Sequence, residues 1–152
     1  MHPIIVQVAT SSNTYSPKKK LIRQWAINAL QAITQPTEVT LRIVDLDEMT
    51  LLNEGYRRKK GPTNVLSFPF NMPDGVDMDT PILGDVIICA PIVNQEAIDQ
   101  QKAANAHWAH MVIHGVLHLQ GYDHETEEEA TLMESLEINL LKTQGFPNPY
   151  SK

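Results

Sequence analysis

Hydrophobic and polar residues alternate from Glu38 to Asp45, with Val39, Leu41 and Ile43 set against Glu38, Thr40 and Arg42. A period of two predicts a half-buried strand. Ile4 to Ala9, Thr63 to Phe70 and Ile82 to Cys89 are three further β-prone runs, and Asn71-Met72-Pro73-Asp74-Gly75 punctuates a loop between the last two. The rest of the chain has helical spacing. Leu21, Trp25, Ile27 or Asn28, and Leu30 mark a helix over Lys18 to Ile33, with Ser16-Pro17 as its N-cap and first helical position. Asp47 to Tyr56 reads as a short helix. A longer pattern runs from Ile92 to Leu119 with a break near Asn105, and a final helix spans Thr126 to about Leu141. Thr126 and Glu129 predict a capping box for that final helix, acids crowd its first turn, and Gly145 and Pro147 lie beyond its end. Its Met133, Leu136, Ile138, Leu140 and Leu141 are expected to pack in the core.

No internal repeat, low-complexity tract or linker divides the pattern, so residues 1–152 are expected to form a single domain. A chain of 152 residues with 42% apolar and 20% charged content is ample for one core. The lone cysteine, Cys89, excludes an intrachain disulfide framework and is expected to be a small buried hydrophobe. The start of the chain lacks a basic leader with a long apolar stretch, and no window approaches 18 uninterrupted apolar residues. The expectation is a soluble, cytoplasmic protein with no membrane partner.

A net charge of −6 argues against a generic polyanion binder, since nonspecific nucleic-acid affinity comes from cations that neutralise phosphates. The charge is uneven, however. Acid is concentrated from Glu125 onward, while Arg57-Arg58-Lys59-Lys60 forms a compact basic run in mid-chain. Such a run is ordinarily a solvated loop, and its meaning depends on what it faces.

The chemistry is concentrated in His114-Gly115-Val116-Leu117-His118-Leu119-Gln120-Gly121-Tyr122-Asp123-His124. On a helix, His114 and His118 project from one face a turn apart, which suits two ligands of a tetrahedral metal. Gly121 can take a positive φ, end the helix and let the chain return His124 to the same point. Three imidazoles leave one of the four zinc positions free, and an open position distinguishes a catalytic site from a closed structural one. The bland alternative, three unrelated histidines, leaves both the spacing and the glycine unexplained.

Metzincin metalloproteases share this histidine spacing but carry a glutamate after the first histidine as general base. Here that position is Gly115. Without the carboxylate, peptide hydrolysis forfeits a contribution of roughly 10²–10⁴-fold, so a zinc protease is only the runner-up. The whole run from His114 to His124 instead resembles the zinc signature of the YbeY family of bacterial endoribonucleases. Tyr56-Arg57, Pro62-Thr63-Asn64-Val65-Leu66-Ser67-Phe68-Pro69 and Leu83-Gly84-Asp85-Val86 are similar to that family's other motifs, in the same order. The resemblance covers most of residues 38 to 141. Asn64 stands where many members have aspartate, so no acid-base role is assigned to it.

The resemblance implies an α+β, zincin-like metallohydrolase fold: a small mixed β-sheet packed with helices. It also implies a metal-dependent endoribonuclease specific for single strands, acting in 16S ribosomal RNA 3′-end maturation and ribosome quality control. One zinc ion on His114, His118 and His124 is expected, with RNA and the ribosome or its proteins as partners. A metal that polarises a phosphoryl oxygen suits a phosphodiester without the missing glutamate. Arg57 is expected to stabilise charge on the phosphate, since its guanidinium matches phosphate bidentately and the family places an arginine of this motif in its cleft. Arg58, Lys59 and Lys60 are expected to guide the RNA backbone. His110 and His107 are either partners to a ligand imidazole or plain helix surface, and the second is expected. Asp85 and Asp123 are weak candidates for orienting an imidazole or accepting a proton, and Ser67 is expected to pack or hydrogen-bond near the cleft. A noncatalytic, zinc-stabilised module binding ribosomal partners is a third reading. It predicts that the fold collapses with loss of metal.

Overall fold

Strand β2 (Glu38–Val44) keeps its alternation as burial, with Val39, Leu41 and Ile43 fully covered and Glu38, Thr40 and Arg42 partly exposed. The computed structural model describes residues 2–11, 13–71 and 80–151, so most of the expected Asn71–Gly75 loop lies outside the described residues. β2 pairs in parallel with β1 (Ile4–Ala9) and with β4 (Ile82–Cys89). β3 (Val65–Pro69) runs antiparallel to β4, so the sheet has the order β1-β2-β4-β3 and is mixed, with β3 at one edge.

The helices are α1 (Lys19–Asn28), α2 (Leu46–Arg57), α3 (Ala90–Asp99), α4 (Ala104–Leu119) and α5 (Glu127–Thr143). The main core lies between one sheet face and helices α1, α4 and α5, with Trp25, Leu41, Ile88, Trp108, Ile113 and Met133 in its interior. A smaller core of Val44, Met49, Leu66, Ile87 and Cys89 fills the opposite face beneath α2. Covering both faces explains why β4 reads as a continuous apolar run rather than an alternating one. Cys89 is buried, as expected of a small hydrophobe.

Helix α4 is buried along most of its circumference, from His107 through Leu119, which identifies it as the central helix of the fold. It lies close against the sheet at Gly115. A Cβ there would stand 2.6 Å from Val86 Cγ1 and 3.3 Å from Val65 Cγ2. The backbone approach therefore demands glycine, and a metzincin-type glutamate has no room at this position. Ser67 Oγ donates to the Gly115 carbonyl at 2.9 Å, tying edge strand β3 to the same point of α4, in line with the hydrogen-bonding role expected of it.

Several boundaries differ from expectation. Helix α1 starts at Lys19 with Lys18 as N-cap, so Ser16-Pro17 precedes the helix instead of opening it. The long helical pattern divides at Gln100–Ala103 rather than near Asn105, and Gln101 takes a positive φ of 57° there. An apolar pattern that continues across two packed helices does not locate the turn between them. The capping box of α5 is formed as expected, with Glu129 N–H donating to Thr126 Oγ1 and Thr126 N–H to Glu129 Oε1.

Candidate metal centre

The three histidines converge because α4 ends in a tight glycine turn. Gly121, at φ 97°, donates its N–H to the His118 carbonyl (3.0 Å), and Tyr122 N–H reaches the Leu117 carbonyl (3.3 Å). This pair of bonds is a Schellman motif, which satisfies the last carbonyls and reverses the chain. Asp123 Oδ1 then accepts from the His124 N–H at 2.8 Å, fixing the return. The His124 ring centroid lies 5.7 Å from that of His114 and 5.1 Å from that of His118.

The donor set fits a metal. His114 Nε2 and His118 Nε2 are 3.1 Å apart, and ligand nitrogens of all three residues lie within 4.8 Å of one another. Two imidazole nitrogens at 2.0–2.1 Å from a tetrahedral zinc stand about 3.3 Å apart, so the first pair is already at its bite. Burial lowers the His118 pKa, and His114 and His124 lower it further by repulsion. Both effects favour the neutral form of His118, the form that ligates a metal.

Behind His114 lies a buried carboxylate. Glu137 of α5 is fully buried, and its Oε2 accepts from His114 Nδ1 at 2.6 Å. Its Oε1 accepts from the Tyr150 hydroxyl and stands 3.3 Å from His110 Nε2. Burial opposes the charge on Glu137, but hydrogen bonds from His110 and His114 outweigh it and hold the carboxyl at about 2. Burial and the neighbouring Glu137 raise the Tyr150 pKa, so its hydroxyl remains a donor. A proton placed on His114 Nδ1 leaves Nε2 with its lone pair free, turned toward His118. The spacing 110–114 and 133–137–141 puts these groups on facing stripes of α4 and α5, where Met133, Glu137 and Leu141 are the buried positions of α5.

On the other side, His114, His118 and His124 border a cleft of about 500 Å³ that is also lined by Arg57, Asn64, Ser67 and Asp123. Arg57 is the last residue of α2, and Arg58 caps that helix in the left-handed region. The exposed turn that follows is pinned to α2. Lys59 N–H donates to the Asn53 carbonyl, Asn53 Nδ2 to the Gly61 carbonyl and Gly61 N–H to Glu54 Oε2. The structure thus brings Arg57 together with the three histidines, whereas Arg58, Lys59 and Lys60 sit on the exposed turn beyond the cleft lining.

The family model described as Endoribonuclease YbeY matches residues 7–145. This chain belongs to the YbeY family. An endoribonuclease YbeY from Methylococcus capsulatus is 53% identical over 140 residues, covering 92% of this chain and 91% of the relative. One from Nitrosococcus oceani is 50% identical over 127 residues, covering 84% of this chain and 83% of the relative. A solution structure from Thermotoga maritima shares the fold at a TM-score of 0.57 and 22% identity, over 97% of this chain and all of its own.

Within this YbeY-family chain, one secondary expectation needs correction. His107 and His110 are not helix surface. Both are buried, His107 bonding Glu96 Oε1 at 2.9 Å and His110 lying 3.2 Å from the Tyr150 hydroxyl. Asn64 directs Nδ2 at the Glu96 carboxylate (3.2 and 3.3 Å) while its Oδ1 accepts from Val65 N–H at 2.7 Å, so both ends of its amide are engaged. Asp123 lines the cleft and bonds the His124 backbone, whereas Asp85 is exposed on β4 and outside the cleft lining. Sequence reasoning does not single out Glu137 among the helix's apolar residues. A glutamate four residues after Met133 and four before Leu141, on the stripe facing the core, was the signal that could have found it.

Replacing Glu137 with glutamine keeps an acceptor for His114 but removes the charge. Zinc affinity, measured by competition with a chromogenic chelator, is expected to fall by about 10–100-fold. Unchanged affinity would show that Glu137 does not tune the centre.

Proposed function

We propose that this protein is a zinc-dependent endoribonuclease that cuts single-stranded RNA, acting in 16S ribosomal RNA 3′-end maturation and ribosome quality control. The observation that carries the reading is a single cleft bordered by three convergent imidazoles and an arginine. The names of the relatives support RNA as the substrate. We read residues 1–152 as one catalytic domain working in the cytoplasm, with ribosomal RNA and the ribosome as partners. Among the described residues no helix is long and apolar enough to cross a membrane.

His114, His118 and His124 would hold the ion, and zinc suits an all-imidazole set with an open fourth position. When bound, such an ion polarises a phosphoryl oxygen and lowers the pKa of water. Arg57 binds the scissile phosphate through two parallel N–H bonds and stabilises the charge that grows on it in the transition state. Arg58, Lys59 and Lys60, on a turn pinned to α2, attract the flanking backbone. Glu137 holds the proton on His114 Nδ1 throughout. Gly115 leaves no space for a protease-type glutamate beside the metal, which favours a phosphodiester over a peptide.

Chelation tests the reading. Stripping the metal is expected to abolish cleavage of a single-stranded ribosomal RNA fragment and leave the circular dichroism spectrum intact, with zinc restoring activity. Cleavage that survives chelation would refute the metal-dependent mechanism. Collapse of the fold would favour the zinc-stabilised binding module instead.

A further inference from the structure

Strand β3 is the sheet edge on which the cleft is built. Its alternate residues Val65, Ser67 and Pro69 line the cleft, so Leu66 and Phe68 point to the other face. There the Phe68 ring meets Tyr56 edge-on, with centroids 5.5 Å apart and planes at 69°. Tyr56 is nonetheless 74% exposed, and Phe70, two residues beyond Phe68, is 43% exposed. A lone exposed aromatic is ordinary on a protein surface. This one differs in being braced by a second ring while its own remains open, and in directly preceding Arg57, which enters the cleft. The basic run Arg57–Lys60 continues from it, on a turn fixed by Asn53 and Glu54. An open aromatic face beside cations is the combination that binds unpaired nucleotides, because every base offers a π-face and every linkage a phosphate.

We propose that Tyr56, braced by Phe68, is a stacking platform for an unpaired RNA base next to the nucleotide held at the metal cleft. This deepens the endoribonuclease reading and rests on it. The platform supplies a reason for single-strand preference: a base in a duplex is already stacked on both sides and has no free face to offer. The phosphate at Arg57 and the base on Tyr56 then belong to neighbouring positions of one strand that crosses the β3 edge. Asp85 pairs with Phe68 in the strand register and is exposed on the same face, so a carboxylate stands near the platform where a base amino group can donate.

The test uses zinc-loaded full-length protein and Tyr56→Trp. The protein's own tryptophans, Trp25 and Trp108, are buried at 2% and 0% exposure, so the new indole alone reports the surface. Single-stranded oligoadenylate is expected to quench it on rapid mixing, before cleavage, and the same strand in a duplex is not. In steady state Tyr56→Ala is expected to raise KM for single-stranded RNA roughly ten- to a hundredfold at little cost in kcat, and Tyr56→Phe to restore the KM. Absence of quenching together with a wild-type KM in Tyr56→Ala overturns the platform, whether or not the surface serves a protein partner, and leaves the nuclease reading standing. Quenching by single strands from a protein that never cuts RNA supports the platform and sinks the nuclease reading.

Discussion

His118→Ala and His114→Ala are both expected to lose bound zinc and RNA cleavage, but only His114→Ala is expected to destabilise the metal-free protein as well. Each removes one of three ligands, so zinc affinity should fall by more than the roughly 10–100-fold typical of losing a ligand's hydrogen-bonded partner. Cleavage should fall by about 10³-fold or more, the equivalent of the several kcal/mol that a metal contributes to transition-state charge stabilisation. The two variants diverge because of what each ring touches on its other side. His114 Nδ1 satisfies a fully buried carboxylate, Glu137, at 2.6 Å. Removing the donor to one oxygen of a buried carboxylate leaves that oxygen unsatisfied and costs about 1–3 kcal/mol. Among the described residues, His118 has no carboxylate as a hydrogen-bond partner. Denaturant unfolding of both variants after metal removal checks the difference. Equal stabilities would show that the His114–Glu137 bond does not contribute as described.

Arg57→Ala is expected to lower kcat by about 10²–10³-fold while the protein keeps its full complement of zinc. The guanidinium is the only cation from the basic run in the lining of the cleft, so losing it removes charge stabilisation at the phosphate without touching a ligand. Arg57→Lys should recover part of the rate only, since an ammonium offers a charge without the planar fork. Steady-state cleavage with metal quantified in each sample tests this. A wild-type kcat in Arg57→Ala would remove the residue from the chemistry and leave it at most a role in steering RNA.

Much of this architecture was legible from residues alone, because its determinants are local. The alternation in β2, the capping box at Thr126 and Glu129, and the glycine that reverses the chain after α4 each act within a few residues. The convergence of the three histidines followed from helical periodicity plus one turn. What escaped was set by contacts between distant elements. Glu137 sits on a stripe of α5 that would read as core, and only the packing of α4 against α5 shows that its carboxylate faces His110 and His114. Tyr150, near the end of the chain, reaches the same carboxylate because α5 ends in a turn like that of α4, with Gly145 N–H on the Lys142 carbonyl and Phe146 N–H on that of Leu141. Ser16-Pro17 is a good local opening for a helix, yet α1 begins only at Lys19. The reason for Gly115 was likewise hidden. In the sequence it is a missing glutamate, and in the fold it is the point where a helix backbone meets Val86.

The most direct measurement is anomalous diffraction at the zinc edge from crystals of the zinc-loaded protein. One strong peak is predicted at about 2.0–2.1 Å from a ring nitrogen of each of His114, His118 and His124, with the fourth position open to the cleft. A peak between His110 and Glu137 instead, a fourth protein ligand closing the site, or no peak at these histidines would contradict a catalytic metal centre there.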